Sequence, residues 1–147
     1  MLEIKEKNAS RLVIISNRLP IVIEKKEGKL DISPGSGGLV TALAPVLQNR
    51  GGLWAGWTGG VEAEEQDILN AIRNEQKNSG FQFAPIFLSK EEVEQYYYGF
   101  SNEILWPLFH DLLGKCHFVP DYWQAYEHVN AKFARSMVSH LFPSDFI

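Results

Sequence analysis

Two short segments in the first forty residues carry residue types that can hold anions. Ser16-Asn17-Arg18 closes an apolar run typical of a buried parallel strand, whose carboxyl end delivers polar groups to a crevice. Gly37 and Gly38 open a predicted helix, where a backbone without Cβ atoms lets a ligand approach the exposed N–H groups. This pattern predicts an anion site at Arg18 and a second one close to it. An ion pair between Arg18 and a nearby carboxylate is the alternative.

Tyr97 and Trp106 lie in a stretch that is rich in aromatic residues. Each side chain has a ring that can stack on the apolar face of a sugar and a polar tip that can hydrogen-bond its hydroxyl groups. Trp57, at the end of another predicted strand, is a further residue that can reach the crevice. Core packing is the alternative for all three. Taken with the two anion sites, these residues describe a site for a sugar phosphate beside a sugar nucleotide.

The elements that must position these residues follow from the hydrophobic pattern. It predicts strands at 11–16, 53–57 and 81–88, a hairpin at 21–33 with Gly28 in its turn, and helices starting at 39, 62, 90 and 121. Ser36 is predicted to cap the helix at 39, and Pro45 to kink or split it. Gly99 and Pro107 are predicted to interrupt the aromatic stretch. Phe146-Ile147 is predicted to begin another strand.

Strands that alternate with helices predict an α/β fold, with a Rossmann-like, mostly parallel sheet and flanking helices. Residues 1–10 are polar and are predicted to be a lead-in, and 11–147 to form one domain. Because the last predicted strand has only begun at Ile147, we expect the sequence to be a piece of a longer protein.

Composition argues against several classes of function. The net charge is −4 and there is no run of Lys or Arg, so a nucleic-acid or anionic-membrane surface is not supported. No apolar stretch approaches the length of a membrane span, and the single Cys116 suits a reducing compartment, so we predict a cytoplasmic protein. The glycines do not fit the dinucleotide or phosphate-loop fingerprints, and the spacing of the four histidines does not favour a metal site. We therefore expect no metal and no cofactor.

Several motifs occur in the same order as in the trehalose-6-phosphate synthases. The motifs are Ser16-Asn-Arg-Leu-Pro20, Gly37-Gly-Leu39, Gly52-Leu-Trp-Ala-Gly-Trp57, Tyr96-Tyr97, Phe100-Ser-Asn102, Leu105-Trp-Pro-Leu-Phe-His110 and Tyr126-Glu-His-Val-Asn130. The chain resembles the amino-terminal part of that family over nearly its whole length.

This resemblance implies the amino-terminal half of a GT-B glycosyltransferase, which has two Rossmann-like domains around a cleft. The family transfers glucose from UDP-glucose to glucose 6-phosphate, with retention of the anomeric configuration and without a metal. By motif position, the resemblance implies that Arg18, Tyr97 and Trp106 bind glucose 6-phosphate. It also implies that Gly37 and Gly38 face the diphosphate of UDP-glucose. Trp57 is a weaker candidate for the acceptor pocket.

The family's His-Asp-Tyr-His segment and its carboxyl-terminal domain are absent from this sequence. Retaining transfer needs positive charge where the diphosphate leaves, so we expect the chain alone to be inactive. The alternatives are a related transferase with another acceptor, such as glycerol 3-phosphate, and a non-catalytic module that binds sugar phosphates. If the absent domain covers an apolar face, we expect the chain to self-associate into a homo-oligomer.

Overall fold

The computed structural model describes residues 10–147, which divide into two compact units. The first contains residues 10–85 and 140–147, and the second contains 86–139. The first unit holds β1 (Leu12–Arg18), β2 (Ile21–Lys26), β3 (Lys29–Pro34), α1 (Gly38–Arg50), β4 (Gly52–Trp57), α2 (Glu65–Ser79) and nearly all of β5 (Gln82–Ile86). The second holds α3 (Lys90–Glu92), a π-helix (Val93–Leu105), α4 (Trp106–Phe109), a 3₁₀ helix (Leu113–Lys115) and α5 (Pro120–Val138).

A three-stranded sheet in the order β1-β4-β5 forms the centre of the first unit. β1 and β4 are parallel, with Val13 opposite Leu53 and Ile15 opposite Ala55. The central strand β4 is the most buried, and Trp54 is fully enclosed. The predicted α/β fold is thereby confirmed, since helices α1 and α2 follow β1 and β4 along the chain.

The predicted start of a further strand at Phe146-Ile147 is also confirmed in part, because Phe146 forms a parallel bridge with Leu12. The Phe146 carbonyl accepts from Val13 N–H at 2.8 Å, and the Phe146 N–H donates to the Arg11 carbonyl at 2.9 Å. Residues 140–147 thus return to the outer edge of β1.

After β1, the chain forms a hairpin of β2 and β3 and then enters α1. Glu27 and Gly28 form its two-residue turn with φ values of 51° and 78°, both in the left-handed region that such hairpin turns require. At the base, Gly35 N–H donates to the Pro20 carbonyl at 2.8 Å. The hairpin and the role of Gly28 are as predicted.

Helix α1 differs from the prediction at two points. Gly37, and not Ser36, is the residue before the helix, and it offers no side chain for a cap. Of the two effects predicted for Pro45, a split does not occur, because the helix spans Gly38–Arg50. Pro45 and Thr41 are both exposed, so water can reach the Thr41 carbonyl that loses its usual hydrogen bond.

In the second unit, α3, the π-helix and α4 follow one another without a break from residue 90 to residue 109. The predicted capping box is present, with Ser89 Oγ accepting from Glu92 N–H and Glu92 Oε2 accepting from Ser89 N–H. The prediction that Gly99 interrupts this stretch is wrong, because Gly99 lies inside the π-helix. It is buried, and a Cβ atom there would lie 2.8 Å from the ring of Tyr122 on α5, so its missing side chain makes room for helix packing.

Charged pairs tie elements together inside each unit. In the second, Lys132 Nζ on α5 lies 2.7 Å from Glu92 Oε2. Burial opposes ionisation of Glu92, but hydrogen bonds from Lys132 and from Ser89 N–H outweigh it and lower the pKa of the carboxyl group. In the first, Arg11 donates to both carboxylate oxygens of Asp145, at 3.0 and 2.6 Å.

The Arg11–Asp145 pair leads to a pH prediction. Hydrogen bonding from Arg11 lowers the pKa of Asp145, so the pair stabilises the fold fully above the unfolded-state pKa of about 4. That stabilisation is lost as the pH falls through the lower folded-state pKa. Asp145→Asn should therefore lower the melting temperature at pH 7 and have a smaller effect near pH 3. Asp31→Asn removes an exposed pair with Lys26 and serves as a control expected to change little at either pH.

Candidate functional site

Arg18 is held at the end of β1 by a β-bulge. Ile15 pairs with Ala55 but Arg18 pairs with Trp57, so β1 has one more residue than β4 over this interval. Bulges of this kind redirect side chains at the ends of strands. The Leu19 N–H donates to the Trp57 carbonyl at 3.0 Å, so the chain stays attached to β4 beyond the bulge.

A hydrogen-bond relay fixes the bulge from the core side. The buried indole of Trp54 donates through Nε1 to Ser16 Oγ at 2.8 Å, and Ser16 Oγ donates to the Arg18 carbonyl at 2.7 Å. Gly56 allows the two strands to approach closely, because a Cβ atom there would lie 2.6 Å from the carbonyl carbon of Arg18. The relay therefore connects the core to the backbone of the predicted anion-binding residue.

The Arg18 side chain is exposed and lies over an aromatic ring. Its guanidinium carbon is 5.1 Å from the ring centroid of Trp57, within the range of a cation–π contact. A Cβ atom at Gly59 would lie 3.1 Å from Arg18 Nη2, so the Thr58-Gly59-Gly60 turn borders the same guanidinium. Trp57 is only 4% exposed. Its ring thus packs in the core and supports Arg18.

The glycine segment lies near Arg18 in the same unit. Gly35, two residues before Gly37, is hydrogen-bonded to Pro20, two residues after Arg18. Gly37 has a φ of 120°, which favours glycine, and a Cβ atom at Gly37 or Gly38 would meet nothing within 4 Å. The first turn of α1 is therefore open on the side where these Cβ atoms would point.

Tyr97 and Trp106 both lie in the second unit, Tyr97 in the π-helix and Trp106 at the start of α4. The Trp106 N–H donates to the Ser101 carbonyl five residues earlier, so the helix before Trp106 is wound more widely than an α-helix. Trp106 is 53% exposed and Tyr97 is partly exposed.

Two features are absent from the described residues. Between residues 10 and 147, no three His, Cys, Asp or Glu side chains gather where a metal ion could be held. No helix in that range is both long and apolar enough to cross a membrane.

The family model of glycosyltransferase family 20 matches residues 10–147. The chain belongs to glycosyltransferase family 20. A trehalose-6-phosphate synthase of Mycolicibacterium vanbaalenii is 41% identical over 125 residues, covering 84% of this chain and 25% of that protein. The α,α-trehalose-phosphate synthase (UDP-forming) of Emericella nidulans is 40% identical over 146 residues, covering 99% of this chain and 28% of that protein.

Solved structures of family members share the fold. An E. coli structure described as trehalose-6-phosphate bound with UDP-2-fluoro glucose superposes with a TM-score of 0.67 at 32% identity, over 92% of this chain and 26% of that one. An α,α-trehalose-phosphate synthase of Burkholderia xenovorans in complex with glucose-6-phosphate gives a TM-score of 0.67 at 30% identity, over 94% and 27%. The chain spans about a quarter of the length of these relatives.

Two residues that contact the candidate binding residues, or the core beneath them, were not predicted from the sequence. Ser16 was grouped with Arg18, but its bond to Trp54 joins residues 38 positions apart and has no local signal. No role is predicted for His110 from the sequence, and its imidazole stacks on Trp106 with ring centroids 4.2 Å apart. The i, i+4 spacing of Trp106 and His110 is the signal that points to this contact.

Proposed function

We propose that the natural protein is an α,α-trehalose-phosphate synthase (UDP-forming) that transfers glucose from UDP-glucose to glucose 6-phosphate. The observation that carries this proposal is the match of residues 10–147 to glycosyltransferase family 20, joined to synthase relatives at about 40% identity. In this proposal, residues 11–147 form the amino-terminal Rossmann-like half of a GT-B enzyme. The reaction needs no metal and takes place in the cytoplasm.

On the acceptor side, Arg18 binds the phosphate of glucose 6-phosphate. A guanidinium presents parallel N–H donors that match phosphate oxygens, and the exposed Arg18 rests on Trp57 and is bordered by Gly59. Tyr97 and Trp106 each supply a ring that can stack on the pyranose and a polar tip that can bond its hydroxyl groups. Trp57, which the resemblance suggested as a weaker acceptor contact, acts in this proposal through Arg18.

On the donor side, Gly37 and Gly38 let the diphosphate of UDP-glucose approach the N–H groups at the start of α1. The positive end of the helix dipole favours an anion there. One arginine and one helix start do not neutralise a leaving diphosphate, so the remaining positive charge must come from the rest of the protein. The chain by itself is therefore expected not to turn over.

A related transferase that uses glycerol 3-phosphate is the second candidate. Arg18 would bind that phosphate equally well. The two aromatic side chains of Tyr97 and Trp106 favour a pyranose, because a three-carbon chain has no ring face for either of them to cover.

The direct test supplies UDP-glucose to the natural full-length protein with either glucose 6-phosphate or glycerol 3-phosphate. Release of UDP with formation of trehalose 6-phosphate from the first acceptor alone is the expected result. Product from glycerol 3-phosphate alone would replace the proposed acceptor, and binding of glucose 6-phosphate without any transfer would indicate a non-catalytic module. Trehalose 6-phosphate formation by the 147-residue chain alone would contradict its expected inactivity.

A substitution at Gly38 tests the donor site without a change in packing. Its Cβ would meet open space, so Gly38→Ala should leave thermal stability unchanged or slightly raised, by up to about 1 kcal/mol. If the diphosphate contacts this backbone, the same change should raise the KM for UDP-glucose about tenfold, through loss of about 1.4 kcal/mol of binding. Gly114→Ala is the matched control, since a Cβ there also meets nothing within 4 Å. Equal KM values in both variants would remove Gly38 from the donor site.

A further inference from the structure

The imidazole of His110 covers one face of the Trp106 indole. The two ring centroids are 4.2 Å apart and the planes are inclined by 23°, which is a stacked arrangement. His110 Nδ1 lies 2.6 Å from the Trp106 carbonyl oxygen. Because a carbonyl only accepts, Nδ1 carries the proton and donates to it. The imidazole is therefore held both by its ring and by its nitrogen.

The backbone under this pair is fixed as well. Pro107 between them is buried, and its carbonyl accepts from the N–H groups of His110 at 3.2 Å and Leu112 at 2.9 Å. Trp106 is tied to the preceding helix through its bond to Ser101. These bonds fix the backbone that carries both rings, and the His110 imidazole, held by its Nδ1–H, packs on the indole from that fixed backbone.

The His110 stack limits the part of the indole that a ligand can contact. With one face covered by His110, the 53% exposure of Trp106 leaves the opposite face and the ring edge for a ligand. A flat apolar surface of fixed orientation suits a pyranose ring. It adds nothing to the recognition of a bare phosphate.

We propose that His110 is a positioning residue, which orients the Trp106 indole so that its uncovered face stacks on the sugar ring of a hexose-phosphate acceptor. This inference rests on the proposed function, in which Trp106 contacts glucose 6-phosphate. It adds a specificity determinant that selects the ring of the acceptor, while Arg18 selects its phosphate.

The test measures kinetics of the natural full-length protein with glucose 6-phosphate. His110→Ala should raise the KM for glucose 6-phosphate about tenfold and change kcat less than about twofold, because a stacked ring stabilises ground state and transition state alike. His110→Phe keeps a stacked ring and should restore the KM to within about threefold of the wild-type value. Inhibition by inorganic phosphate should be equal in all three proteins.

Two control variants distinguish the role of His110 from the role of Trp106. His117→Ala removes another exposed histidine of the same unit, one that pairs with Glu103, and should leave the KM unchanged. Trp106→Ala should raise the KM at least as much as His110→Ala. If Trp106→Ala raises the KM but His110→Ala does not, or if His110→Phe is as impaired as His110→Ala, the role of His110 is overturned. No effect of Trp106→Ala, or no product from the wild type, would overturn the proposed acceptor site and the inference with it.

Discussion

Replacing Arg18 with alanine is expected to lower kcat/KM for glucose 6-phosphate by about 100-fold in the natural protein. A charge-assisted, two-pronged contact with phosphate contributes about 1.5 to 3 kcal/mol, and about 2.7 kcal/mol corresponds to this factor. The exposed guanidinium makes a cation–π contact with the Trp57 indole, and such a contact contributes about 0.5 to 1 kcal/mol, too little to explain the loss. Thermal stability should therefore change by less than about 1 kcal/mol.

Arg18→Lys refines this prediction. Lysine keeps the positive charge but loses the planar pair of donors, so we expect an intermediate loss of about tenfold. Arg50→Ala, at the exposed end of α1, is the matched control and should behave as wild type. Steady-state kinetics with varied glucose 6-phosphate distinguish these cases. An Arg18→Ala enzyme with wild-type kcat/KM would show that the phosphate binds elsewhere.

Gly56→Ala is expected to lower the free energy of unfolding by about 3 kcal/mol. The added methyl carbon would lie 2.6 Å from the Arg18 carbonyl carbon and the Leu19 nitrogen, and 2.8 Å from the Arg18 oxygen. All three atoms belong to the backbone, which is held by the bulge and by the bond from Leu19 to Trp57. The strands must therefore separate to admit a side chain.

Urea denaturation of Gly56→Ala beside Gly38→Ala measures this effect with a matched control. Both changes add one methyl group to the same unit, but only the first meets atoms nearer than 4 Å. Because the strain falls on Arg18, use of glucose 6-phosphate should also decline in Gly56→Ala. Equal denaturation midpoints for the two variants would mean that β1 and β4 can separate at low cost.

The elements that could be predicted from sequence are those specified by neighbouring residues. The hairpin depends on the Glu27-Gly28 turn and the capping box on Ser89 and Glu92, so each signal lies within a few residues of the structure that it specifies. Phe146 and Ile147 likewise carry the start of an apolar run, and the bridge of Phe146 to Leu12 confirms the predicted strand in part. The hairpin turn and the capping box are confirmed in full.

The elements that could not be predicted depend on distant contacts. The packing of the π-helix Val93–Leu105 against α5 involves Gly99, whose missing side chain leaves room for Tyr122 more than twenty residues away. The position of Arg18 depends on Ser16 and on a tryptophan of another strand. The sequence patterns identify the candidate binding residues. The residues that hold them in place are brought together by tertiary packing.

The hairpin of β2 and β3 also has a practical use. Its two ends meet where Gly35 donates to Pro20, and its tip at Gly28 has open space around the position of a Cβ atom. The hairpin also lines a pocket together with the start of α2. A fluorophore inserted between Glu27 and Gly28 would therefore lie beside α2, and its emission would report on the packing of the hairpin against that helix.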